Sequence, residues 1–433
     1  MLLIVMIVLL FVFILLGMDI AWSIGLAALS YIGLTFIFAP RPVNPVLLVQ
    51  QMTAGVDSFT LLSIPMFIFA GELMARSSIV QRLIDMAAAM MGHKPGGLGN
   101  VAVIANLALA GTSGSATADA AAVGTALIPE MKRRGYTTQY AAGIISASAC
   151  MAPIIPPSIL LILLGAIANI SVGDLFLAGI VPGFLMCAAL LMMNRYMAIR
   201  LNLERSPKAS PAERRRMLLR GLPPLGAPLL VIITKVFGIA TPTEAAGMVV
   251  LYALLLGSLV YRELSPRVIF HAAVAATLTS GAIMMTVATS QVFGSLVIMA
   301  GAGPVISQAM LAISNDPMVL LLIVNIVLLV LGTSMDPLPV MLILSPILFP
   351  LMTGLGVDPV HLGLVMVFNL VLGGVTPPVG LNLFVMSRVA RIPVMQVFRG
   401  GLPFYSILFA VLLLVTYVPQ LSLFIPHYLT TNP

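Results

Sequence analysis

GTSGSATAD, residues 111–119, lies between two apolar runs, and GTSMDPLP, residues 332–339, sits in the same setting 221 positions on, counted from Gly111 to Gly332. Glycine lets a chain turn and lets backbone carbonyls approach a ligand, and the hydroxyls of Thr112, Ser113, Ser115 and Thr117 add oxygens. Polar bends of this kind inside apolar sequence need a special setting. Irregular backbone survives at membrane depth only where protein buries it or where it lines a wet cavity.

The rest of the chain supplies that setting. Of 433 residues, 60% are hydrophobic and 8% charged, against roughly a quarter charged in a soluble domain. Mean hydropathy is +1.13. Apolar stretches such as Ala21–Ala39, and those around Val181–Met193 and Met318–Leu331, reach the roughly 18 residues of a membrane span. The apolar N-terminus lacks a basic leader and reads as a retained first span. Net charge of +7 falls largely in short polar breaks, as cytoplasmic loops require, and does not point to nucleic acid. Cys150 and Cys187 sit in apolar sequence without ligand spacing and read as small packing residues.

Working outward from the two bends, the offset persists. Leu127, Pro129, Met131 and Gly135 fall on Leu348, Pro350, Met352 and Gly356, and Pro156-Pro157 falls on Pro377-Pro378. Basic residues swap between the copies. Lys132-Arg133-Arg134 meets the uncharged 353–355, and Arg388 and Arg391 meet an uncharged stretch near 166–172. Basic loops favour the cytoplasm, so equivalent loops lie on opposite sides, the mark of an inverted-topology repeat.

This predicts an all-α integral membrane protein with about ten spans, near 2–17, 20–38, 57–75, 138–164 and 174–199, then 223–241, 243–261, 275–300, 360–386 and 401–425. Only 37 residues separate the basic flanks Lys94 and Lys132, too few to cross twice at about 20 residues per pass. A re-entrant helical hairpin fits, over 95–131 with its tip at 111–119. The counterpart spans 317–357 with its tip at 332–339. The first repeat then covers 1–199, with scaffold spans, the first hairpin and a broken helix at 138–164. A basic cytoplasmic linker covers 200–222. The second repeat covers 223–433, with scaffold spans, the second hairpin and a broken helix at 360–386.

Sodium is a hard cation held by several oxygens, which unwound helix ends supply. The free N–H groups that open the next helix favour a carboxylate. Close packing through small residues is the competing reading of the tips. Asp119 caps the returning helix or joins the ion site. Asp336, between strongly apolar runs, reads as a sodium ligand or proton carrier, or as the N-cap of a helix opening at Pro337. IIPPS (154–158) and TPPVG (376–380) break their helices and free carbonyls, either facing the tips or as simple kinks. Ser158, Thr376 and Asn382 add side-chain oxygens there. TPTEAAG (241–247) reads as a helix start with Glu244 at its positive end. His93, His271, His361 and His427 are scattered, and no metalloprotease, phosphate-loop or paired-cysteine motif occurs, so energy must come from an ion gradient or a partner.

GTSGSATAD with LIPEMKRRGY (127–136), IIPPS, TPTEAAG and PVHLG…TPPVGLNLF (359–384) together resemble the large membrane subunit of tripartite ATP-independent periplasmic (TRAP) transporters. The likeness spans nearly the whole chain. The resemblance implies an elevator-type secondary transporter of the bacterial inner membrane, with Na+ as coupling ion and no other cofactor. Partners would be a small four-helix membrane subunit and a periplasmic substrate-binding protein. Substrates would be carboxylates: C4-dicarboxylates, 2-oxo acids, sialic acids or other sugar acids. By position, Gly111, Ser113, Ser115, Pro156, Gly332, Thr333, Asp336, Thr376 and Pro377 become the candidate sodium site. Thr112, Ser113, Ser115, Ser158, Ser334 and Asn382 become the candidate substrate contacts. A stand-alone sodium/carboxylate symporter is the main alternative.

Overall fold

The structure, a computed structural model, describes residues 2–40, 42–203 and 210–431. Every regular element among them is a helix. Eight helices among the described residues are long and apolar enough to cross a membrane, and the pair Val46–Val56 and Phe59–Ala75, bent by 59°, is a broken span that would make nine or a re-entrant loop. The stretches 138–164 and 360–386 gather their apolar length across a break, so each is two short helices: Thr138–Ala149 with Ile159–Ala168, and Pro359–Gly373 with Leu381–Ala390. Part of the 200–222 linker, residues 204–209, lies outside the described residues. Its remainder includes the helix Pro211–Gly221.

Helix order recurs along the chain. Ile20–Phe38 is matched by a helix opening at Pro242, Ala116–Arg133 by one opening at Pro337, Thr138–Ala149 by one opening at Pro359. Ile159–Ala168 and Val172–Arg200 are likewise matched by helices opening at Leu381 and Val394. Each start is displaced by 221 or 222 positions, from 20 to 242 or from 116 to 337, for example.

Packing crosses between the halves. The first hairpin's returning helix, Ala116–Arg133, lies on Leu381–Ala390, and the second hairpin's, Pro337–Gly354, lies on Ile159–Ala168. Thr138–Ala149 packs closely on Val394–Tyr417. A Cβ on Gly143 would fall 2.4 Å from the Gly401 nitrogen, so only the bare backbone permits the approach. Buried amides pin matching helix pairs. Asn106 donates to Ser148 Oγ at 2.6 Å in one half, and Asn369 donates to Asn325 Oδ1 at 2.7 Å in the other.

Helices Leu2–Leu15 and Ile20–Phe38 form a smaller core with one end of Pro266–Met299, through Met6, Ile24, Ile32 and Phe293. Thr241 and Glu244 form a reciprocal capping box with Pro242 at the first helical position, which agrees with the helix-start reading of TPTEAAG. Arg82 ties the helix Ile79–Met91 to the 261–265 turn, with a 2.7 Å ion pair to Glu263 and its guanidinium 3.9 Å over the Tyr261 ring.

Candidate functional site

Both hairpin tips are tighter than their composition suggests. The first outgoing helix runs to Ser113 and the return starts at Ala116, so the turn is Gly114-Ser115 alone. Gly111, Thr112, Thr117 and Asp119, expected within an open tip, are helical. Gly114 adopts φ +61°, a left-handed conformation that glycine takes at no steric penalty. The second outgoing helix runs to Ser334 and the return starts at Pro337, leaving Met335-Asp336 as the turn. Short side-chain caps make such turns possible. Ser115 Oγ accepts from Ala118 N at 3.4 Å, and Asp336 Oδ1 accepts from Leu338 N at 2.9 Å with proline at the first helical position.

Asp119 is therefore not the cap. It lies in the first turn of the returning helix, almost fully buried, and Ser113 Oγ donates to its Oδ1 at 2.5 Å. Its Oδ2 is buried and has no hydrogen-bond partner among the described residues. Asp336 does cap, as one of its two readings required, and it also borders the cavity described below.

Each tip seats against the break of its own half. A Cβ on Gly111 would lie 3.4 Å from the Pro156 carbonyl oxygen and 2.5 Å from Pro228, and one on Gly114 would lie 2.9 Å from the Pro157 carbonyl oxygen. In the second half Gly332 meets the Leu370 carbonyl oxygen and Gly373 in the same manner, and Gly380 N donates to the Thr333 carbonyl at 2.9 Å. The Pro156-Pro157 and Pro377-Pro378 peptide bonds are both cis. Hydroxyls of the breaks and tips are mostly engaged locally. Ser158 Oγ donates to the Pro153 carbonyl and accepts from Leu161 N, capping Ile159–Ala168. Thr112, Thr333 and Thr376 donate back to Leu109, Val330 and Leu372 carbonyls at 2.8 Å. Ser334 is exposed, 3.3 Å from the Thr333 hydroxyl.

The two tips and two breaks close on one cavity of ≈ 160 Å³. A single water needs about 10–15 Å³ on that measure, so there is room for a small organic molecule. Gly114 to Thr117 line it from the first tip and Asp336 to Leu338 from the second. Pro153, Ile159 and Leu160 come from the first break, and Val371, Gly374, Leu381 and Asn382 from the second. Of the candidates named from sequence, Ser115, Asp336 and Asn382 reach it, as does Thr117 of the first tip. Gly111, Pro156, Gly332 and Thr333 belong instead to the tip–break contacts, and Ser158 faces its own break. Gly114, Pro153 and Gly374 were missed, although the glycine after Ser113 was a visible signal.

Four helices, opening at Ala116, Ile159, Pro337 and Leu381, begin at this cavity. A helix start carries about half a positive charge and free N–H groups. Among the described residues no Lys or Arg lines the cavity, and Asp336 is its one acid. Asn382 donates to the Ser146 carbonyl at 3.0 Å, while its Oδ1 is buried with no hydrogen-bond partner among the described residues. The arrangement can attract an anion through backbone dipoles and N–H groups. It also offers a carboxylate, and carbonyls where tips meet breaks, to a hard cation.

Comparison with known proteins gives one answer. The family described as "Tripartite ATP-independent periplasmic transporter, DctM component" matches residues 7–421. The sialic acid TRAP transporter large permease protein SiaM of Vibrio cholerae is 37% identical over 95% of this chain and 95% of its own. The 2,3-diketo-L-gulonate TRAP transporter large permease protein YiaN of Escherichia coli is 35% identical over 94% of each chain. The C4-dicarboxylate TRAP transporter large permease protein DctM of Pseudomonas aeruginosa is 36% identical, again over 94% of each. Among solved structures, the YdaH transporter of Alcanivorax borkumensis covers 93% of this chain and 90% of its own with a TM-score of 0.61 at 15% identity, a likeness of fold alone.

Proposed function

The chain belongs to the DctM component family of tripartite ATP-independent periplasmic transporters, a multi-pass membrane transporter component rather than an enzyme, and from that premise we propose that it imports a small organic acid coupled to sodium. The observation carrying this reading is the shared cavity, where two tips and two breaks meet and four helices begin. Anion binding needs positive potential in a low-dielectric site, and helix starts supply it without a cationic side chain. Sodium would be held where the break carbonyls of Pro156 and Pro157 approach Gly111 and Gly114, with Asp336 adding charge. Sodium bound first would organise the tips and so complete the anion site.

In this reading the protein works in the bacterial inner membrane with a small membrane subunit and a periplasmic binding protein that delivers a carboxylate. The hairpins and broken helices form the moving body, and the helices near 2–38 and 223–261 form part of the scaffold. The two halves enter the membrane from opposite faces, which the exchange of basic residues between 132–134 and 353–355 supports.

Proteoliposomes holding the complete transporter test the reading. Imposed sodium gradients and added binding protein should drive uptake of one acid from a panel of C4-dicarboxylates, 2-oxo acids and sugar acids. Equal uptake without sodium removes the coupling, and full uptake without binding protein favours the stand-alone symporter. Single cysteines at 133 and 354 should label from opposite sides; labelling from one side ends the inverted reading.

A further inference from the structure

The helix Pro211–Gly221, PAERRRMLLRG, carries a surface that the transport reading does not use. It is held firmly. Ser210 and Glu213 close a capping box at its start, and the Arg220 carbonyl accepts from Tyr261 Oη at 3.0 Å at its end. One side, with Leu218 and Gly221, seats on Ile79–Met91, where a Cβ on Gly221 would lie 2.5 Å from Met86 Cβ. The other side is open.

On that open side Arg214 and Arg215 share a groove with Leu219 and Leu222, floored by the half-buried Leu218. Leu219 is 59% exposed and Leu222 51%. Arg214, Arg215 and Arg216 take part in none of the ion pairs among the described residues. The helix leads through a short turn into Gly226–Val236, so that Pro211–Val236 together forms a candidate span. The arginines therefore lie on the polar side and the leucines toward the bilayer. At 1.5 Å per residue, Arg215 and Leu222 are about 10 Å apart along the axis, roughly the step from lipid headgroup to acyl chain.

We propose that this groove is a binding site for an anionic phospholipid of the cytoplasmic leaflet, its phosphate on Arg214 and Arg215 and an acyl chain along Leu219 and Leu222. Charge chooses the lipid: Arg214 and Arg215 are the groove's charged residues, both basic, and basic side chains at the membrane surface attract anionic headgroups. The exposed leucines choose a lipid over a free phosphate, because a soluble anion leaves them in water. The inference is independent of what the transporter carries.

The test uses the full chain in nanodiscs of phosphatidylethanolamine with graded phosphatidylglycerol, released and read by native mass spectrometry. One phosphatidylglycerol should stay bound in preference to phosphatidylethanolamine. Replacing both arginines (Arg214→Gln with Arg215→Gln) should weaken retention roughly 30-fold, while Arg388→Gln with Arg399→Gln should leave it unchanged. Inorganic phosphate should fail to displace the lipid. Equal retention by the Arg214/Arg215 variant, no preference over phosphatidylethanolamine, or displacement by phosphate each overturns the proposal. So does loss of the lipid when the small membrane subunit is present, since a protein then covers the groove.

Discussion

Asp336 has one duty that the structure shows, as a cap, and one that we propose, as a cation ligand, and a single substitution can separate them. Its Oδ1 accepts from Leu338 N at 2.9 Å and so caps Pro337–Gly354, and the residue borders the cavity. Asparagine caps a helix as well as aspartate, whereas alanine at a cap costs about 0.5–2 kcal/mol. The charge is a different matter. A cation about 4 Å from a carboxylate gains on the order of 4 kcal/mol at an effective dielectric of 20, roughly a thousandfold in affinity. Asp336→Asn should therefore unfold within a few tenths of a kcal/mol of wild type, yet its sodium half-saturation should move beyond any usable concentration. Asp336→Ala should lose sodium coupling and about 1 kcal/mol of stability together. Uptake against external sodium in proteoliposomes, paired with thermal unfolding in detergent, reads both quantities. Unaltered sodium dependence in Asp336→Asn would refute the argument and leave Asp336 a cap.

Other perturbations have equally definite outcomes. Gly143→Ala puts a methyl 2.4 Å from the Gly401 nitrogen, and because backbone cannot swing aside it should cost about 1–3 kcal/mol in thermal unfolding; Gly33→Ala, within the helix Ile20–Phe38 and with nothing within 4 Å, should instead gain up to about 1 kcal/mol. Ser113→Ala strands the buried Asp119 carboxyl, whose Oδ2 already lacks a partner among the described residues. A loss of about 1–3 kcal/mol is expected, with faster proteolysis at the first tip and rescue by Ser113→Thr. Partial burial alone would raise the Glu263 carboxyl, but hydrogen bonds from Ser78 and Arg82 outweigh it and hold the group below its ordinary 4.5. A depressed carboxylate stabilises the fold above its ordinary value and loses that contribution as pH falls through its folded value. Glu263→Gln should thus lower stability at neutral pH by about 0.2–1 kcal/mol, as befits a partly exposed pair, and the gap to wild type should close in acid.

Hairpins, breaks and helix order were legible because each rests on a local signal: polar residues inside apolar runs, paired prolines, and a spacing that repeats. The register of the tips was not. Gly-Thr-Ser was expected to be unwound, yet Gly111 to Ser113 and Gly332 to Ser334 stay helical, because the glycines serve close packing on the breaks and the turn is made two residues later, at the caps. Ser158 shows the same limit. A hydroxyl beside a proline break reads as a ligand, but the nearest carbonyl, that of Pro153, takes it first. Which oxygens stay free for a ligand depends on three-dimensional competition that spacing does not encode. Nor did anything local announce that the span expected over 57–75 would begin earlier, as a helix bent by 59° near Asp57.

Equivalent positions around the cavity show how far the two halves have diverged. Ser115 and Asp336, 221 positions apart, are both N-caps and both face the cavity. Pro153 pairs with Gly374 at that spacing, and Leu160 with Asn382 at 222. Backbone is thus shared: two helix starts from each half aim the same partial charge at the same space. Side chains are not, since the first half presents Ser115 and Leu160 where the second presents the acid Asp336 and the amide Asn382. If sodium drives the carrier, as proposed, the division has a physical use. Symmetric dipoles attract the anion from either arrangement of the halves, whereas an acid in only one half confines the charge-dependent cation contact to that half. Exchanging the two caps, Ser115→Asp with Asp336→Ser, keeps both helix starts and the net charge, and should carry sodium sensitivity to the first tip only if nearby carbonyls there can complete the coordination.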